Sequence, residues 1–351
     1  MADTNIKARP YREGDEKSII DLFNRVFDSS MTPEEWEWKY KKNPAITAPA
    51  DWITVLEKDG RIVGHFASMP FEVKYKNKTV KSGQAIDTML DPTEKMGIKF
   101  LYELYKYHLA TNIKPLFGFG FPNERAYLIG KKFLGYQNLG EFVQLFKRLS
   151  LRSAMKRRFP NIPSFMLNII HRLSQMFFSL LIQEDNRYQT EEIYDFDDRA
   201  NALWDRIKER FGITIIRNKD YLNWRYKDKG FKIFLAKQGT EIYGYIVLRV
   251  EVRNDATVGS IIDIFSREEA TNALLARALK IFIAYDVDFS LCGLVKGDVM
   301  EKDLLVAGFR RHKDIKPLQI ACVLINDEID RNYIMEASNW HLSYGEVDGI
   351  R

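Results

Sequence analysis

The sequence predicts an α/β protein in which a mixed sheet flanked by helices occurs twice. Three observations indicate this fold class. Residues 82–110 have the pattern of a strand, a loop and an amphipathic helix, and an Asp-Gly pair joins two apolar runs between residues 52 and 69 as a β-hairpin. The second half then repeats the order of these features. A length of 351 residues with 46% hydrophobic residues suits two domains with real cores.

The stretch 82–110 is the one around which the first half is organised. Residues 84–90 are predicted as a strand, followed by a loop around Gly97 and a helix that begins near Ile98. Free N–H groups and the positive end of the helix dipole would then face the end of the strand, where an anion such as a phosphate binds well. Lys95 and Lys99 flank the glycine and add positive charge. A single glycine between a strand and a helix is also common in simple turns, so that alternative stays open.

The other elements of the first half follow from apolar periodicity and turn residues. In chain order they are a strand at 7–12, a helix at 15–27, an aromatic cluster at 36–40, hairpins at 52–69 and 71–81, a strand at 115–121, a helix from Asn123 to Gly135 and a strand at 141–146. The glycines within Phe117-Gly118-Phe119-Gly120-Phe121 suggest the close approach of a ligand or of another backbone.

The second half repeats the first at a nearly constant distance along the chain. Residues 221–227 repeat the aromatic cluster, residues 231–249 form a hairpin, and Asp263 corresponds to Asp87. Trp38 and Trp224 occupy equivalent places in the two clusters, and both are expected to be buried. This repetition predicts two copies of one fold. The expected domain ranges are 1–150, a linker at 151–190, and 191–351.

The linker range contains a basic cluster, Lys156-Arg157-Arg158, and an amphipathic helix at 164–183. A basic cluster beside an amphipathic helix could lie on an anionic membrane surface. The alternative, a helix packed on a core between the domains, is favoured because few charges lie on its polar face.

The order of elements in the first half resembles that of the GNAT N-acetyltransferases. The resemblance covers residues 5–148 and rests on the segments IKARPYREGDEKSIIDLFNRVF, ITVLEKDGRIVGHFASM, QAIDTMLDP and NERAYLIGKKFLGY. It implies acetyl-coenzyme A as cosubstrate, with its pyrophosphate on backbone N–H groups of the loop after the central strand. The family's loop pattern is Arg or Gln, two residues, Gly, one residue, then Gly or Ala. Glu94, Gly97 and Lys99 stand at these places, so only the first glycine is shared.

The resemblance also implies roles for individual residues. The expected cofactor-binding residues are Met89, Leu90, Lys95, Met96, Gly97, Ile98, Lys99, Phe100 and Asn123. The candidate catalytic residues are Glu57, Asp87 and Tyr127. Three of these residues have a structural alternative: Asp87 as a hydrogen-bonding tie, Asn123 as a helix N-cap and Tyr127 as a core residue.

The second copy differs at the place of the phosphate loop. Ser266 and Glu269 have the spacing of a capping box, which would satisfy the helix N–H groups internally, and two carboxylates stand where a pyrophosphate would bind. We therefore expect coenzyme A binding in the first copy alone. Two other functions stay open. Residues 340–348 resemble the ends of FemAB-like transferases, which implies aminoacyl or acyl transfer in envelope or polysaccharide assembly; the second is a GNAT fold that only binds a partner.

Composition sets the remaining expectations. A formal net charge of +5 suits an anionic cofactor without requiring nucleic acid. Cys292 and Cys322 are isolated and the histidines are scattered, so no metal site is predicted and a reducing, cytoplasmic location is expected. The polar N-terminus predicts no signal peptide, and no apolar run is long enough for a transmembrane helix. The acceptor is expected to be the amine of a small molecule or a peptide.

Overall fold

The computed structural model describes residues 6–27, 29–94, 96–111, 115–253, 256–311, 315–326 and 328–348. The chain forms two compact units. The first unit contains Met1–Gly140 and Gln319–Glu336, and the second contains Glu141–Leu318 and Ala337–Arg351. The predicted ranges were contiguous, whereas each observed unit takes residues from two parts of the chain. Residues 151–190, predicted as a linker, belong to the second unit.

The first unit has one mixed sheet with helices packed against it. Its elements are β1 (Ile6–Pro10), α1 (Glu16–Val26), α2 (Pro33–Tyr40), β2 (Ile53–Lys58), β3 (Arg61–Tyr75), β4 (Lys78–Leu90), α3 (Ile98–Thr111), β5 (Phe117–Gly120), α4 (Glu124–Phe133), β14 (Leu318–Leu324) and α11 (Arg331–Ile334). The strand order is β1-β2-β3-β4-β5-β14. The β4–β5 pair is parallel and the other pairs are antiparallel.

The second unit has its own mixed sheet. Its elements are β6 (Gln137–Arg148), α5 (Arg152–Arg158), α6 (Ser164–Leu180), β7 (Gln189–Ile193), α7 (Asp198–Ile207), β8 (Ile213–Ile215), α8 (Lys219–Tyr226), β9 (Lys232–Gln238), β10 (Glu241–Arg253), β11 (Ala256–Ser266), α9 (Glu268–Ala284), β12 (Phe289–Val295), α10 (Val299–Val306), β13 (Arg310–Arg311) and β15 (Trp340–His341). Its order of elements from β9 to α10 is the same as that from β2 to α4 in the first unit. The strand order is β7-β9-β10-β11-β12-β6, with β11–β12 as the parallel pair.

The last strand of each sheet comes from the other half of the chain. β14, near the C-terminus, pairs antiparallel with β5 of the first unit, Cys322 opposite Phe119. β6, which follows α4 in the chain, pairs antiparallel with β12 of the second unit, Cys292 opposite Leu145. The two sheets therefore exchange equivalent strands, and neither sheet is complete without residues from both halves of the sequence.

The long central hairpin of the first unit joins two segments that were predicted as separate hairpins. β3 runs without a break from Arg61 to Tyr75 and pairs with β4 across a two-residue turn at Lys76 and Asn77. Lys76 has a φ of 53°, the left-handed conformation that such tight turns require. The pairing is irregular between His65 and Ala67, which marks a β-bulge opposite Asp87.

The aromatic cluster on α2 contributes to the core through a different tryptophan than expected. Trp36 is 2% exposed and packs against Tyr11 and Tyr40. Trp38, expected to be buried, is half-buried, whereas Trp224 of the second unit is buried as predicted. Positions two residues apart on a helix point about 200° apart, so only one of the two tryptophans can face the sheet.

The α6 helix does not pack as predicted. Its large apolar side chains are exposed, and its buried face carries Leu167, His171, Ser174 and Gln175. The expectation of a helix with its apolar face on a core is therefore wrong. None of the described helices is long and apolar enough to cross a membrane.

Candidate functional site

An opening lies between β4 and β5 of the first unit. The parallel ladder joins residues 82–84 to residues 117–119, and in the described chain it ends there. β4 continues to Leu90, whereas β5 ends at Gly120. The backbone of residues 85–90 therefore borders the opening on its β5 side, and the predicted pair Met89 and Leu90 lies along it. The side chain of Met89 is buried and that of Leu90 is half-buried, so the backbone of this edge is what can face a ligand.

The loop after β4 is held by the side chain of Asp91. Its Oδ1 accepts hydrogen bonds from the N–H of Thr93 at 3.0 Å and from the Thr93 hydroxyl at 2.7 Å. Its Oδ2 lies 3.1 Å from a guanidinium nitrogen of Arg25. Burial disfavours the charged form, but these partners outweigh it and lower the pKa of Asp91. The loop that leads to α3 is thus fixed by a charged anchor at its start.

Gly97 stands directly before α3, and the fold itself does not require a glycine there. It is exposed, its φ lies outside the left-handed region, and a Cβ at this position would meet no atom within 4 Å. A glycine without a conformational or packing reason is consistent with the close approach of a ligand to the backbone. The first turn of α3 also contains no acidic residue.

The predicted residues around Gly97 divide between the core and the surface. Met96 and Phe100 pack against the hydrophobic cluster under α3. Ile98 and Lys99 are exposed at the beginning of the helix, where the first N–H groups have no intrahelical partner. Lys95 falls outside the described residues.

Glu94 departs from the family pattern, and the structure shows how its charge is compensated. Its carboxylate forms an ion pair with Nζ of Lys58 and lies 3.9 Å from a guanidinium nitrogen of Arg61. Both cations flank the β2–β3 turn. The Glu94 carboxylate is therefore paired with a cation, which reduces its repulsion of a pyrophosphate near Lys99.

Asp87 lies at the β-bulge of β4 in a buried charge network. Nζ of Lys39 is 2.8 Å from its Oδ2, the Tyr40 hydroxyl donates to the same oxygen, and Nδ1 of His65 lies 2.7 Å from its backbone oxygen. Asp87 has a φ of 46°, which few residues other than Gly, Asn and Asp tolerate. Burial would raise the pKa of Asp87, but the charge of Lys39 and the two hydrogen bonds outweigh it and lower the pKa. Such a paired carboxylate is a weak base, which favours the structural alternative.

Glu57 is also held in an ion pair. Its Oε2 lies 2.5 Å from Nε of Arg9, and that guanidinium also binds Asp15 through two nitrogens. The hydrogen bond from Arg9 lowers the pKa of Glu57, against a smaller opposing effect of burial. β2 is separated from β4 by β3 in the sheet order. These contacts favour a role in joining β1 to β2.

Asn123 and Tyr127 lie one turn apart at the beginning of α4. Asn123 is the N-cap, and its Oδ1 accepts a hydrogen bond from the N–H of Ala126 at 2.9 Å. The structural alternative for Asn123 is thus present, while its exposed side chain stays available to a ligand. Tyr127 is half-buried one turn later, and its N–H donates to the Asn123 carbonyl at 2.8 Å.

An apolar pocket begins where β4 and β5 separate, and the sequence pointed to it only through the glycines of β5. It is narrow, with a cavity volume of about 30 Å³. Backbone and small residues of the two strands form one wall, namely Gly83, Ala85, Gly118 and Gly120. The other walls come from β3, α3, the residues after α4, and β14: Phe66, Ser68, Tyr105, His108, Leu109, Tyr136, Ala321 and Val323.

His108 is the one imidazole in the pocket lining, and no pattern in the sequence marked it. Nδ1 lies 3.0 Å from the Thr54 hydroxyl and Nε2 lies 3.0 Å from the Ser68 hydroxyl. Burial, with a smaller contribution from the charge of His65, lowers the pKa of His108 to about 3. The ring is therefore neutral near pH 7, and the pocket is uncharged.

The second unit keeps the aspartate but surrounds it differently. Asp263 is fully buried on β11 and accepts hydrogen bonds from the hydroxyls of Tyr226 at 2.9 Å and Tyr245 at 2.7 Å. The guanidinium of Arg217 lies 3.4 Å from it. Tyr226 is the counterpart of Tyr40, so the tyrosine–aspartate pair occurs in both units while the cation comes from a different position.

The opening of the second unit is filled by the chain's own C-terminal segment. The Ser343 hydroxyl donates to Asp263 of β11 at 3.0 Å, and Ser343 also forms a β-bridge with Leu294 of β12. The segment therefore lies between the two strands beyond the end of their ladder. Tyr344 packs so close to Gly293 that a Cβ there would lie 2.5 Å from its ring.

The predicted capping box before α9 is wrong, although two acidic residues do lie in its first turn. Arg267 is the N-cap and makes no side-chain cap, while the Ser266 hydroxyl lies 2.9 Å from the hydroxyl of Thr271. Glu268 and Glu269 occupy the first turn of α9. Acidic side chains at this end complement the helix dipole and repel an anion.

Comparison with known proteins decides the family of the first unit. Residues 7–112, from β1 to α3, match the family model of the acetyltransferase (GNAT) domain. Residues 7–112 are thus a GNAT acetyltransferase domain by this match. Among curated proteins, no significant match to the chain was found.

Solved structures with the same fold extend the likeness over both units. A probable N-acyltransferase from Enterococcus faecalis V583 aligns with a TM-score of 0.64 and 13% identity, covering 92% of this chain and 73% of that one. A GCN5-related N-acetyltransferase from Anabaena variabilis aligns with a TM-score of 0.63 and 11% identity, with the same coverage. Saccharomyces cerevisiae N-myristoyltransferase with bound myristoyl-CoA aligns with a TM-score of 0.55 and 11% identity, covering 92% and 83%. The predicted GNAT acyltransferase fold is thereby confirmed.

Proposed function

We propose that the chain transfers an acyl group from an acyl-coenzyme A to a primary amine, and that the first unit performs the reaction. The observation that carries the proposal is the contrast between the two units. In the first, the β4–β5 ladder ends after residue 84, and the first turn of α3, the helix that follows β4, contains no acidic residue. In the second, the equivalent opening is filled by Ser343 and its neighbours, and two carboxylates stand at the helix N-terminus.

The residues around α3 fit a pyrophosphate. Its oxygens would accept hydrogen bonds from the backbone N–H groups of residues 95–100, where the missing side chain of Gly97 allows close approach. Lys95 and Lys99 would supply charge, and Glu94 is already paired with Lys58. The backbone of Met89 and Leu90 would line the pantetheine arm, and Asn123 at the N-cap of α4 would reach the same arm.

The reaction is proposed as a direct transfer without a covalent enzyme intermediate. The amine nitrogen bonds to the thioester carbon, the C–S bond breaks, and the amine releases one proton to water, from which Tyr127 regains the proton that it gives to the thiolate. A backbone N–H of the β4 edge would stabilise the developing oxyanion, and Tyr127 would protonate the leaving thiolate. For Asp87 and Glu57 we propose structural roles, because both carboxylates are held in ion pairs with lowered pKa values.

The acyl group is the less constrained part of the substrate. Acetyl-coenzyme A is the donor that the family implies, and the narrow apolar pocket beside Gly118 and Gly120 lies where the acyl chain of a longer donor would have to enter. One protein with this fold, the yeast N-myristoyltransferase, was solved with bound myristoyl-CoA. We therefore propose an acyl-CoA donor whose chain length is set by this pocket.

The acceptor is proposed to be an amine of a small molecule or a peptide, as the resemblance to the GNAT family implies. The loops that bind the acceptor vary freely on this fold, so the fold alone does not select one amine. We propose a cytoplasmic location, consistent with Cys292 and Cys322, which are both free and buried. Among the described residues, no cluster of three or more His, Cys, Asp or Glu side chains is arranged to hold a metal ion.

The proposal is tested by measuring coenzyme A release with a thiol reagent. Purified full-length chain is incubated with acyl-CoA donors from C2 to C14 and a panel of polyamines, amino-sugars and peptide N-termini. We expect amine-dependent release with at least one donor. Absence of release with every donor, together with activity on an aminoacyl-tRNA donor, would instead support the FemAB-like alternative.

A further inference from the structure

The α6 helix of the second unit is attached to the protein by its polar face. His171 places Nδ1 2.7 Å from the Ser150 hydroxyl and Nε2 3.2 Å from a carboxylate oxygen of Asp286. The Ser174 hydroxyl accepts a hydrogen bond from the N–H of Leu151 at 3.0 Å. These bonds fix which face of the helix points inward.

The opposite face of α6 is apolar and open. It carries Phe165, Met166, Ile169, Leu173, Met176, Phe177 and Leu180, each between 43% and 77% exposed. At 3.6 residues per turn, these positions fall within about 120° of the helix circumference. They form one continuous stripe, which we call the α6 stripe. A contiguous exposed apolar surface of this kind marks an interaction site.

The surroundings of the α6 stripe are basic. Lys156, Arg157 and Arg158 are exposed on α5, and α5 packs against α6. Arg172 is exposed on α6 itself, at the border of the stripe. Between residues 151 and 183 the sequence contains no aspartate or glutamate. An apolar stripe on a helix pair that carries cations and no acidic residue is complementary to a surface that is apolar inside and anionic outside.

We propose that α5 and α6 bind the surface of an anionic membrane, with α6 in the plane of the interface. The stripe would enter the boundary between headgroups and acyl chains, and the cations would contact anionic headgroups. The helix has 17 residues and is fixed along its length by its buried face, which suits an in-plane position. A second copy of the chain fits less well, since a symmetric interface would bring two sets of these cations together.

The test uses sedimentation of the full-length chain with vesicles of phosphatidylcholine and with vesicles containing three parts in ten phosphatidylglycerol. We expect binding to the anionic vesicles and weaker binding to the neutral ones. Raising the salt concentration should reduce the binding, because surface charges are screened. Changing Lys156, Arg157 and Arg158 to Glu should reduce the partition coefficient by about fivefold or more for each charge at low salt.

Two further variants separate the stripe from general surface hydrophobicity. Leu173→Glu/Phe177→Glu should reduce vesicle binding more than about tenfold. Leu128→Glu, which changes a single exposed leucine of the first unit, is the matched control and should bind as wild type does. Thermal unfolding of each variant checks that it is folded.

A probe on the stripe gives a second, independent measurement. Because Cys292 and Cys322 are buried, Met176→Cys can be labelled with an environment-sensitive dye, with Leu128→Cys as the control. We expect a blue shift at Met176→Cys on anionic vesicles and none at Leu128→Cys. A chain that is dimeric by sedimentation velocity, becomes monomeric on Leu173→Glu/Phe177→Glu and ignores vesicles would overturn the proposal.

Discussion

The Nζ atom of Lys39 lies 2.8 Å from Oδ2 of Asp87, and the two side chains are only 3% and 6% exposed. Asp263, the equivalent residue of the second unit, is also fully buried. It accepts a hydrogen bond from the hydroxyl of Tyr226, the counterpart of Tyr40. The aspartate is thus retained in a unit whose opening is filled by its own C-terminal segment. This favours a structural role for Asp87, in which it ties α2 to the bulged strand β4.

Lys39→Met is expected to destabilise the protein by about 3–5 kcal/mol, because it leaves the Asp87 carboxylate buried without its cation. Lys42→Met is the control, since its ion pair with Glu37 is 62% and 48% exposed and should cost little. Urea unfolding measures both. Adding Asp87→Asn to Lys39→Met should recover part of the loss, and Asn tolerates the left-handed backbone at this position. Equal stability of the two lysine variants would refute the role given to the pair.

Glu57→Gln is expected to lower the stability while leaving the turnover of acyl-CoA nearly unchanged. The carboxylate supports Arg9, and its pKa is lowered. A lowered pKa means that the contribution to stability is complete above the ordinary glutamate pKa and is lost as the pH falls through the folded value. Urea unfolding between pH 7 and pH 4 and steady-state kinetics check both parts. A large fall in kcat with normal stability would contradict the structural role and would support Glu57 as the general base.

Acidification should destabilise the first unit through His108. Burial holds the pKa of His108 near 3, below the ordinary value, so the unfolded chain binds a proton more readily than the folded one. Stability is then complete above about pH 6.5 and falls by roughly 2 kcal/mol between pH 6.5 and pH 5. His108→Gln should flatten this dependence, which is measured by thermal unfolding over that range. An unchanged slope in the variant would show that other groups cause it.

Gly120→Val is expected to shorten the pocket and to shift the preference among acyl-CoA donors toward short acyl chains. A Cβ at Gly120 would make ordinary contacts with Ala85 at 3.5–4.0 Å, so the first added carbon fits and the rest of the side chain enters the pocket. Transfer from C8 and longer donors should fall more than about tenfold, while transfer from acetyl-CoA serves as the internal control and persists. Equal losses for all chain lengths would mean that the pocket does not hold the acyl chain.

The local elements could be predicted because their patterns are local. The periodicity at 98–109 marked α3, the Asp-Gly turn marked the β2–β3 hairpin, and the repeat paired Asp87 with Asp263. The strand exchange could not be predicted. β6 and β14 both carry apolar residues that suit a sheet, and neither sequence specifies the strand with which it pairs.

The orientation of α6 and the pairing of the Glu94 carboxylate with a cation could not be predicted from the sequence either. Amphipathicity shows that a helix has an apolar face, but it does not show that hydrogen bonds from His171 and Ser174 turn that face outward. Glu94 is neutralised by Lys58, which is 36 residues away in the chain. Pairings between distant residues become visible only in the folded structure.

The most direct test of the central claim is calorimetry of acetyl-CoA and a long-chain acyl-CoA binding to three proteins. We predict that wild type and Arg267→Glu, which alters the second unit, bind with the same affinity. Gly97→Trp should abolish binding without changing the melting temperature of the free protein, because the exposed side chain would cover the N–H groups of α3. Absence of heat with wild type at millimolar ligand, or normal binding by Gly97→Trp, would contradict the proposed site in the first unit.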